Sequence, residues 1–343
     1  MARTNRTSRR AVFGALALAF LPASGCGRAP RPNVVLISID TLRADRLGCS
    51  GWKEAETPVL DAVAAEGTRF SRVYAPAPLT LPSHTTMLTG LDPPAHGQRV
   101  NGMASAELGA KTLAERLSVA GWETGGFVAA FVLNRTFGLD RGFTHFDDGP
   151  PEESDLEGLF RGVAPGNERV DRALEWIGRK RDKPFFLFLH LYDVHEPHVP
   201  PPGFEKRFAA RPYDGEVAFV DGQVGRVLHQ IEARGLAKQT LVVVTSDHGE
   251  GLGEHGEETH GVLLYDATLH VPLLVRYPGH VPLGKVIDEV AGLVDVTPTI
   301  LDLVGVKSDT SLQGRSLFGK EPSGERVLWA ETLYPQRTLG WAP

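Results

Sequence analysis

The chain has 343 residues, 42% of them hydrophobic and 23% charged, which excludes disorder and leaves enough apolar side chain for a large core. Its formal charge of −6 understates the acidity of the body: Arg3, Arg6, Arg9 and Arg10 fall in the first 25 residues with no acid among them, and removing those four charges leaves −10. An acidic body without basic runs argues against nucleic acid as a partner.

Arg9-Arg10 precede the stretch AVFGALALAFL, far short of the ~20 apolar residues that a bilayer span needs, and this predicts a signal peptide over 1–25 rather than a membrane helix. The stretch ends LPASGC, which resembles a bacterial lipoprotein cleavage box. Cys26 would then carry lipid as the first residue of an exported, membrane-anchored protein on the periplasmic or cell-surface side, with 26–32 a short tether. Ser8-Arg9-Arg10 also resembles a twin-arginine signal, so the export route stays open. With Cys26 lipidated, Cys49 is the one thiol left and no intrachain disulfide is expected.

From residue 33 onward, β-branched and aromatic runs alternate with helical patterns. NVVLISID (33–40), FFLFLHLYD (185–193) and TLVVVTSD (240–247) are near-continuous apolar runs that each finish at an aspartate, as buried parallel strands with a functional carboxyl edge do. PAPLTLPSHTTMLTG (76–90) is a hydroxyl-rich turn containing Pro82 that runs into Met87 and Leu88, which predicts a loop entering a helix. The free N–H groups of such a helix start suit an anion, and a plain N-cap is the alternative, so the segment alone leaves open which of Thr80, Ser83, His84, Thr85 and Thr86 acts. DGPPEESDLEGLFRGVAPGNE (148–168) is acidic and rich in Gly and Pro, a surface excursion inside one domain. Over 214–234, Val217, Val220, Val224, Val227, Leu228 and Ile231 fall at helical spacing. The whole predicts an α/β fold with helices on both faces of the sheet and the site at the strands' carboxyl ends.

At those ends lie Asp40, the pair Asp247-His248 within SDHGEGLGEHGEETHG, and the cluster His190, Asp193, His195 and His198. A lone strand-end aspartate is ordinarily a turn residue and a lone histidine ordinarily solvated. Carboxylates and imidazoles from three strands together suit a divalent cation, Zn²⁺ or Mn²⁺ before Ca²⁺.

In order along the chain, SIDTLRADRLGCSG, PLTLPSHTTMLTG, HGQRVNG, DVHEPHVPP, TSDHGEGLGEHG, HGVLLYDATLHVPLLV and LVDVTPTILDLVG resemble the N-terminal catalytic domain of the sulfatases, in the alkaline phosphatase superfamily. The resemblance runs from about Asn33 to about Tyr334. It implies a large mixed, mostly parallel sheet sandwiched by helices, one catalytic domain over 33–343, and a metal-dependent hydrolase of sulfate or phosphate esters. It implies Asp40, Thr80, Asp247 and His248 as metal ligands, with Thr80 also at the nucleophile's place. It sets His84 where the signature has arginine, Asn101 at a substrate-contacting asparagine, His195 at the histidine serving the leaving group or nucleophile, and His260 where many relatives have lysine.

Several positions depart from the family pattern. Thr41 replaces a second aspartate, no Lys-x-His pair is recognisable near 121–146, and Thr80 replaces the cysteine or serine that becomes formylglycine. Threonine's extra methyl forbids that aldehyde, so phosphorus esters are expected to be favoured over sulfate esters. Histidine in place of arginine and lysine leads to the expectation that His84, Asn101 and His260 grip the ester oxygens and that activity falls as the histidines lose protons near neutrality. A second metal held by His190, His195, His198, Asp193 and His260 is left open, with His198, His255 and His270 otherwise second-rank or surface groups. The ester's carrier is a small molecule, glycan or lipid. Two other functions compete: an envelope transferase of phosphoryl-linked headgroups, and a non-catalytic binding lipoprotein. Relatives usually continue into a small C-terminal subdomain, and the stop at Gly340-Trp341-Ala342-Pro343 leads to the expectation that this part is missing or truncated.

Overall fold

The computed structural model describes residues 1–2, 31–103, 109–149, 166–319 and 326–342. Contacts divide the chain into Met1–Pro30 and Arg31–Pro343, and the second unit holds every element below. The expected signal peptide, Cys26 and most of the 148–168 excursion lie outside the described residues.

Eight strands form one sheet: β1 (Asn33–Ile39), β2 (Thr68–Tyr74), β3 (Glu123–Phe127), β4 (His145–Asp147), β5 (Phe185–Leu191), β6 (Thr240–Thr245), β7 (His270–Arg276) and β8 (Lys285–Gly292). Their order is β4-β3-β5-β1-β6-β7-β2-β8. All neighbours are parallel except the pairs made by β7, which runs against β6 and β2, so the sheet is mixed and mostly parallel as expected.

Successive side chains of a strand point to opposite faces, so a strand apolar at both parities has to be covered on both sides. In β1, Val34 and Leu36 join one core while Val35, Ile37 and Ile39 join the other, and β6 divides Leu241 and Val243 from Val242 and Val244 in the same way. Helices α2 (Thr80–Thr89), α3 (Leu113–Val119) and α6 (Val296–Leu303) cover the first face through Met87, Leu117 and Ile300. Helices α1 (Pro58–Ala65), α4 (Gly166–Gly178) and α5 (Pro212–Ala233) cover the second through Leu60, Trp176 and Val224.

Helix α5 buries Val217, Val220, Val224, Val227 and Ile231 and half-buries Leu228, the face its spacing predicts. Its Asp221 accepts hydrogen bonds from the backbone N–H groups of Val59 (3.1 Å) and Leu60 (2.8 Å), capping α1, whose own Thr57 makes no side-chain cap. Gly166, Asn167 and Glu168 are already helical in α4, so the excursion ends earlier than its composition suggested.

Because β1, β2, β5 and β6 run the same way, Asp40, the 75–80 turn, Tyr192 and Ser246-Asp247-His248 all emerge on one edge of the sheet. Among the described residues no helix is long and apolar enough to cross a membrane.

Candidate active site

Asp40, Asp247 and His248 are fully buried, and one ligand atom from each lies within 4.8 Å of the others. The Nδ1–H of His248 donates to the Gly249 carbonyl at 2.9 Å, which leaves the Nε2 lone pair turned inward, 3.3 Å from Asp247 Oδ2 and 3.7 Å from Asp40 Oδ1. Those same two carboxylate oxygens are buried with no hydrogen-bond partner. Buried polar atoms are nearly always satisfied, so two orphaned carboxylate oxygens facing an imidazole lone pair are the donor set of a divalent cation, and these residues fit one.

The other atoms of the cluster are fixed from behind. His190 accepts from the Ala129 N–H at Nδ1 (3.3 Å) and therefore donates from Nε2 to Asp40 Oδ2 (3.1 Å). Asp247 Oδ1 accepts from the Thr41 N–H at 3.3 Å, and Ser246 Oγ links the Leu42 N–H (2.9 Å) to the His248 carbonyl (2.6 Å). Such outer bonds orient ligands and set their tautomers. Thr41, at the place of the family's second aspartate, sits at φ 55° and donates its hydroxyl to the Val194 carbonyl at 2.8 Å, away from the cluster. Burial, followed by the Asp247 charge, raises Asp40 well above the ordinary carboxyl range. Burial pushes Asp247 the same way, but His248, His84 and His190 outweigh it and hold Asp247 low.

The turn 75–79 delivers Thr80 to the first position of α2, with Pro82 in the first turn, where its missing N–H costs nothing. The other hydroxyls of this segment are spent locally: Ser83 donates to the Ala77 carbonyl (2.7 Å), Thr85 to the Leu81 carbonyl (2.7 Å), and Thr86 bonds His96 Nε2 (2.9 Å). Thr80 Oγ1 lies 3.4 Å from His248 Nε2, beside the cluster. Asn101 accepts from the Leu81 N–H at Oδ1 (2.9 Å), which fixes its amide orientation and leaves Nδ2 as a donor.

The Sulfatase family profile matches residues 32–306. The chain belongs to the sulfatase family of ester hydrolases. A steryl-sulfatase of Mus musculus is 29% identical over 413 residues, covering 85% of this chain and 65% of its own length. An arylsulfatase of Clostridium perfringens is 25% identical over 399 residues, covering 90% of this chain and 82% of its own. The crystal structure of a phosphonate monoester hydrolase of Agrobacterium radiobacter superposes with a TM-score of 0.73 at 23% identity, over 86% of this chain and 79% of that one, a likeness of fold.

Within this sulfatase-family site, His84 does not take the place expected for it. It is fully buried, donates from Nδ1 to the Thr80 carbonyl (2.8 Å) and accepts the Ser38 hydroxyl at Nε2 (2.8 Å), so it braces the start of α2 as a neutral ring with both nitrogens spent. Burial pushes its pKa down to about 3, and pushes His195 and His260 down to about 4. The expected cationic grip, and its loss near neutrality, therefore gives way to rings that burial has already made neutral.

His195 donates Nδ1–H to the Glu196 carbonyl (2.7 Å), stacks on Tyr192 at 4.3 Å between centroids, and keeps Nε2 for another partner. His260 bonds Glu250 Oε1 through Nδ1 at 3.0 Å, with its ring 4.9 Å from His195 and 4.4 Å from His248. The second-metal set does not converge among the described residues. His190 serves Asp40, Asp193 Oδ1 accepts from the Gly166 N–H at the start of α4 (2.8 Å), and His198 pairs with Glu216 (2.8 Å). His255 stacks on Tyr265 (3.7 Å between centroids) and His270 bonds the Ser71 carbonyl (2.8 Å).

Sequence reasoning missed Ser38, Arg43, Glu250 and Glu331. Arg43 is buried and ties the Glu250 carbonyl (3.1 Å) and the Glu254 carboxylate (3.1 Å) to the loop after β1. Glu331 pairs with Arg99 and donates its N–H to the Pro76 carbonyl (2.9 Å), and the next residue, Thr332, donates to the Gly261 carbonyl. One short segment thereby joins the loops that carry Thr80, Asn101 and His260. Glu250 stood in DHGEG, directly after the ligand pair, and was the one of the four with a visible signal.

Proposed function

We propose that this chain hydrolyses phosphorus esters in preference to sulfate esters, with Thr80 Oγ1 as the direct nucleophile. The observation that carries the reading is the place of that hydroxyl, 3.4 Å from His248 Nε2 and beside two unpartnered buried carboxylate oxygens, while Ser83, Thr85 and Thr86 are bonded elsewhere. A divalent cation held by Asp40, Asp247 and His248 would supply Lewis acidity there, lowering the pKa of an adjacent hydroxyl and offsetting charge on the ester oxygens. Two carboxylate oxygens and one imidazole favour Zn²⁺ or Mn²⁺ over Ca²⁺.

The residues of the chain then divide the work. Thr80 Oγ1 gives up its proton and bonds to phosphorus as the bond to the alcohol breaks, while the neutral His195, its Nε2 lone pair free, would take up that proton and pass it to the departing alcohol oxygen. Asn101 Nδ2 donates to a non-bridging oxygen. Water then attacks phosphorus, the Thr80 oxygen is released and regains a proton, and phosphate departs. In a formylglycine enzyme, the hydrated aldehyde expels sulfate by breaking a bond to carbon, with no second attack at sulfur. A threonine ester lacks that exit and depends on attack at sulfur or phosphorus, a step that alkyl sulfates resist.

The test compares aryl phosphate, phosphodiester, phosphonate and sulfate esters sharing one leaving group, with Mn²⁺ or Zn²⁺ added. Phosphorus esters should turn over faster, Thr80→Ser should keep part of the rate, and Thr80→Ala should lose most of it. Sustained turnover of sulfate esters with phosphorus esters inert refutes the reading.

A further inference from the structure

Helix α5 buries an acid on its apolar side. Glu216 stands beside Val217 near the start of the helix and is as buried as that valine, and a carboxylate taken out of water is costly unless something pairs with it. Its partner is His198, whose Nδ1–H donates to Glu216 Oε2 at 2.8 Å. We propose that Glu216 and His198 are positioning residues that set the His195 ring in the site by fixing the loop on which it stands. The inference rests on the reading of His195 as the group that carries a proton to the departing alcohol, and it adds the residues that hold that group in place.

The loop after β5 is tied down on both sides of His195. Before it, Asp193 Oδ1 accepts from the Gly166 N–H (2.8 Å) and the Val194 carbonyl accepts the Thr41 hydroxyl (2.8 Å). After it, His198 is held by Glu216, and the chain then presses on α5 at Gly215. A Cβ there would stand 2.7 Å from Phe208 and 3.0 Å from Pro200, so the approach needs glycine. Among the described residues nothing bonds His198 Nε2, which leaves the Glu216 carboxylate to orient this ring. Tyr213, on the same turn of α5, lies edge on to His198 at 5.3 Å between centroids and bonds the Thr41 carbonyl (2.8 Å) and the Arg43 N–H (2.9 Å). One turn of α5 thereby holds the loop after β5 against the loop that follows Asp40.

The link to His195 is the peptide between them. His195 Nδ1–H donates to the Glu196 carbonyl at 2.7 Å, and the direction of that carbonyl is set by the chain that His198 anchors just beyond it. Tyr192 supports the ring by stacking, at 4.3 Å between centroids. Without the bond from His198 to Glu216, the acceptor that fixes the tautomer and tilt of His195 loses its own support, while Asp40, Thr80, Asp247 and His248 keep theirs. A reacting group misplaced by about 1 Å can lose about 100-fold in rate.

A double-mutant cycle on metal-loaded protein with phenyl phosphate tests this. His195→Ala should lower kcat by about 100-fold or more. Glu216→Ala and His198→Ala should lower it by about 10- to 100-fold with metal content unchanged. Residues that act through His195 have nothing left to act on once it is gone, so the double variant His195→Ala, Glu216→Ala should be no slower than His195→Ala alone. Glu216→Gln, which keeps an acceptor oxygen, and His198→Asn, whose amide N–H stands in for Nδ1–H, should keep most of the rate. The single losses should be larger for phenyl phosphate, whose alcohol needs the proton, than for p-nitrophenyl phosphate, whose phenolate leaves without one. A double variant slower than His195→Ala by the full Glu216→Ala factor shows a merely structural role and overturns the proposal, as does an unchanged rate in both Glu216→Ala and His198→Ala. Should Glu216→Ala fold poorly by circular dichroism, the cycle is run with His198→Ala. A His195→Ala loss equal for the two esters would instead refute His195 as the proton carrier and leave its position to the cycle. Turnover of sulfate esters alone would refute the preference for phosphorus, and the same cycle is then read with phenyl sulfate.

Discussion

Replacing Asp40 with asparagine should change stability in opposite directions with and without metal. The Asp247 carboxylate is fully buried with its ligand oxygen within 4.8 Å of that of Asp40. Two like charges at that separation repel by about 3 kcal/mol at an effective dielectric of ~20. Protonation of Asp40, whose carboxyl burial and Asp247 raise, relieves part of this, so the repulsion sets a ceiling. In excess chelator, Asp40→Asn removes the repulsion and keeps an oxygen for the His190 Nε2–H, and the variant should be the more stable by about 1–3 kcal/mol, a few degrees in Tm for a domain of this size. With metal present the sign inverts, because wild type gains binding free energy, about 4 kcal/mol at a thousand times Kd, that the variant forgoes. Melting in chelator and in Mn²⁺ or Zn²⁺, with metal content measured on the same samples, gives both signs. Equal metal content in the two proteins, or a variant destabilised equally in both conditions, would refute the ligand assignment.

Thr80→Ala should lose activity by 100-fold or more, on the order of what loss of a positioned nucleophile costs, while its melting temperature stays near that of wild type, read by aryl phosphate turnover beside thermal denaturation. Asp221 carries its proton up to about pH 6 because burial disfavours its charge, so the folded state binds a proton that the unfolded chain releases near pH 4, and stability falls as pH rises across that window. Asp221→Asn should flatten that slope in urea titrations at pH 4, 6 and 8, and a slope equal to wild type would count against it. Glu331→Ala, which frees Arg99, should raise KM more than it lowers kcat, since it loosens the loop before Asn101 and not Thr80. Lipid on Cys26 is an inference from LPASGC alone, and it predicts that full-length protein partitions with membranes while Cys26→Ala does not.

The sheet was legible because its central strands announce themselves twice, by near-continuous apolar runs and by an aspartate at each end. Helix α5 was legible because Val217, Val220, Val224 and Val227 keep to one face. Asp40, Asp247 and His248 followed from the same strand ends, since a parallel sheet brings equivalent ends together whatever lies between them in sequence. Burial and hydrogen-bond partners were not legible. His84 looked like a substitute for a cationic grip, but its neighbours Ser38 and the Thr80 carbonyl, which the sequence places 46 and 4 residues away, take both its nitrogens. The second-metal set failed for a related reason: His190, Asp193 and His198 stand close in sequence, yet a strand, a loop and a turn aim them at Asp40, the start of α4 and Glu216. Glu331 carried no signal because its role is to bridge loops that meet only in three dimensions.

The most direct test of the account is a stoichiometric one with an aryl sulfate. Metal-loaded wild-type protein mixed with excess ester should release about one aryl alcohol per active site and then stall, with sulfate held on Thr80 in the peptide mass spectrum. The same protein given the matching aryl phosphate should continue through many turnovers. Linear release of many aryl alcohols per site from the sulfate ester, with Thr80 unmodified, would contradict the account at its centre.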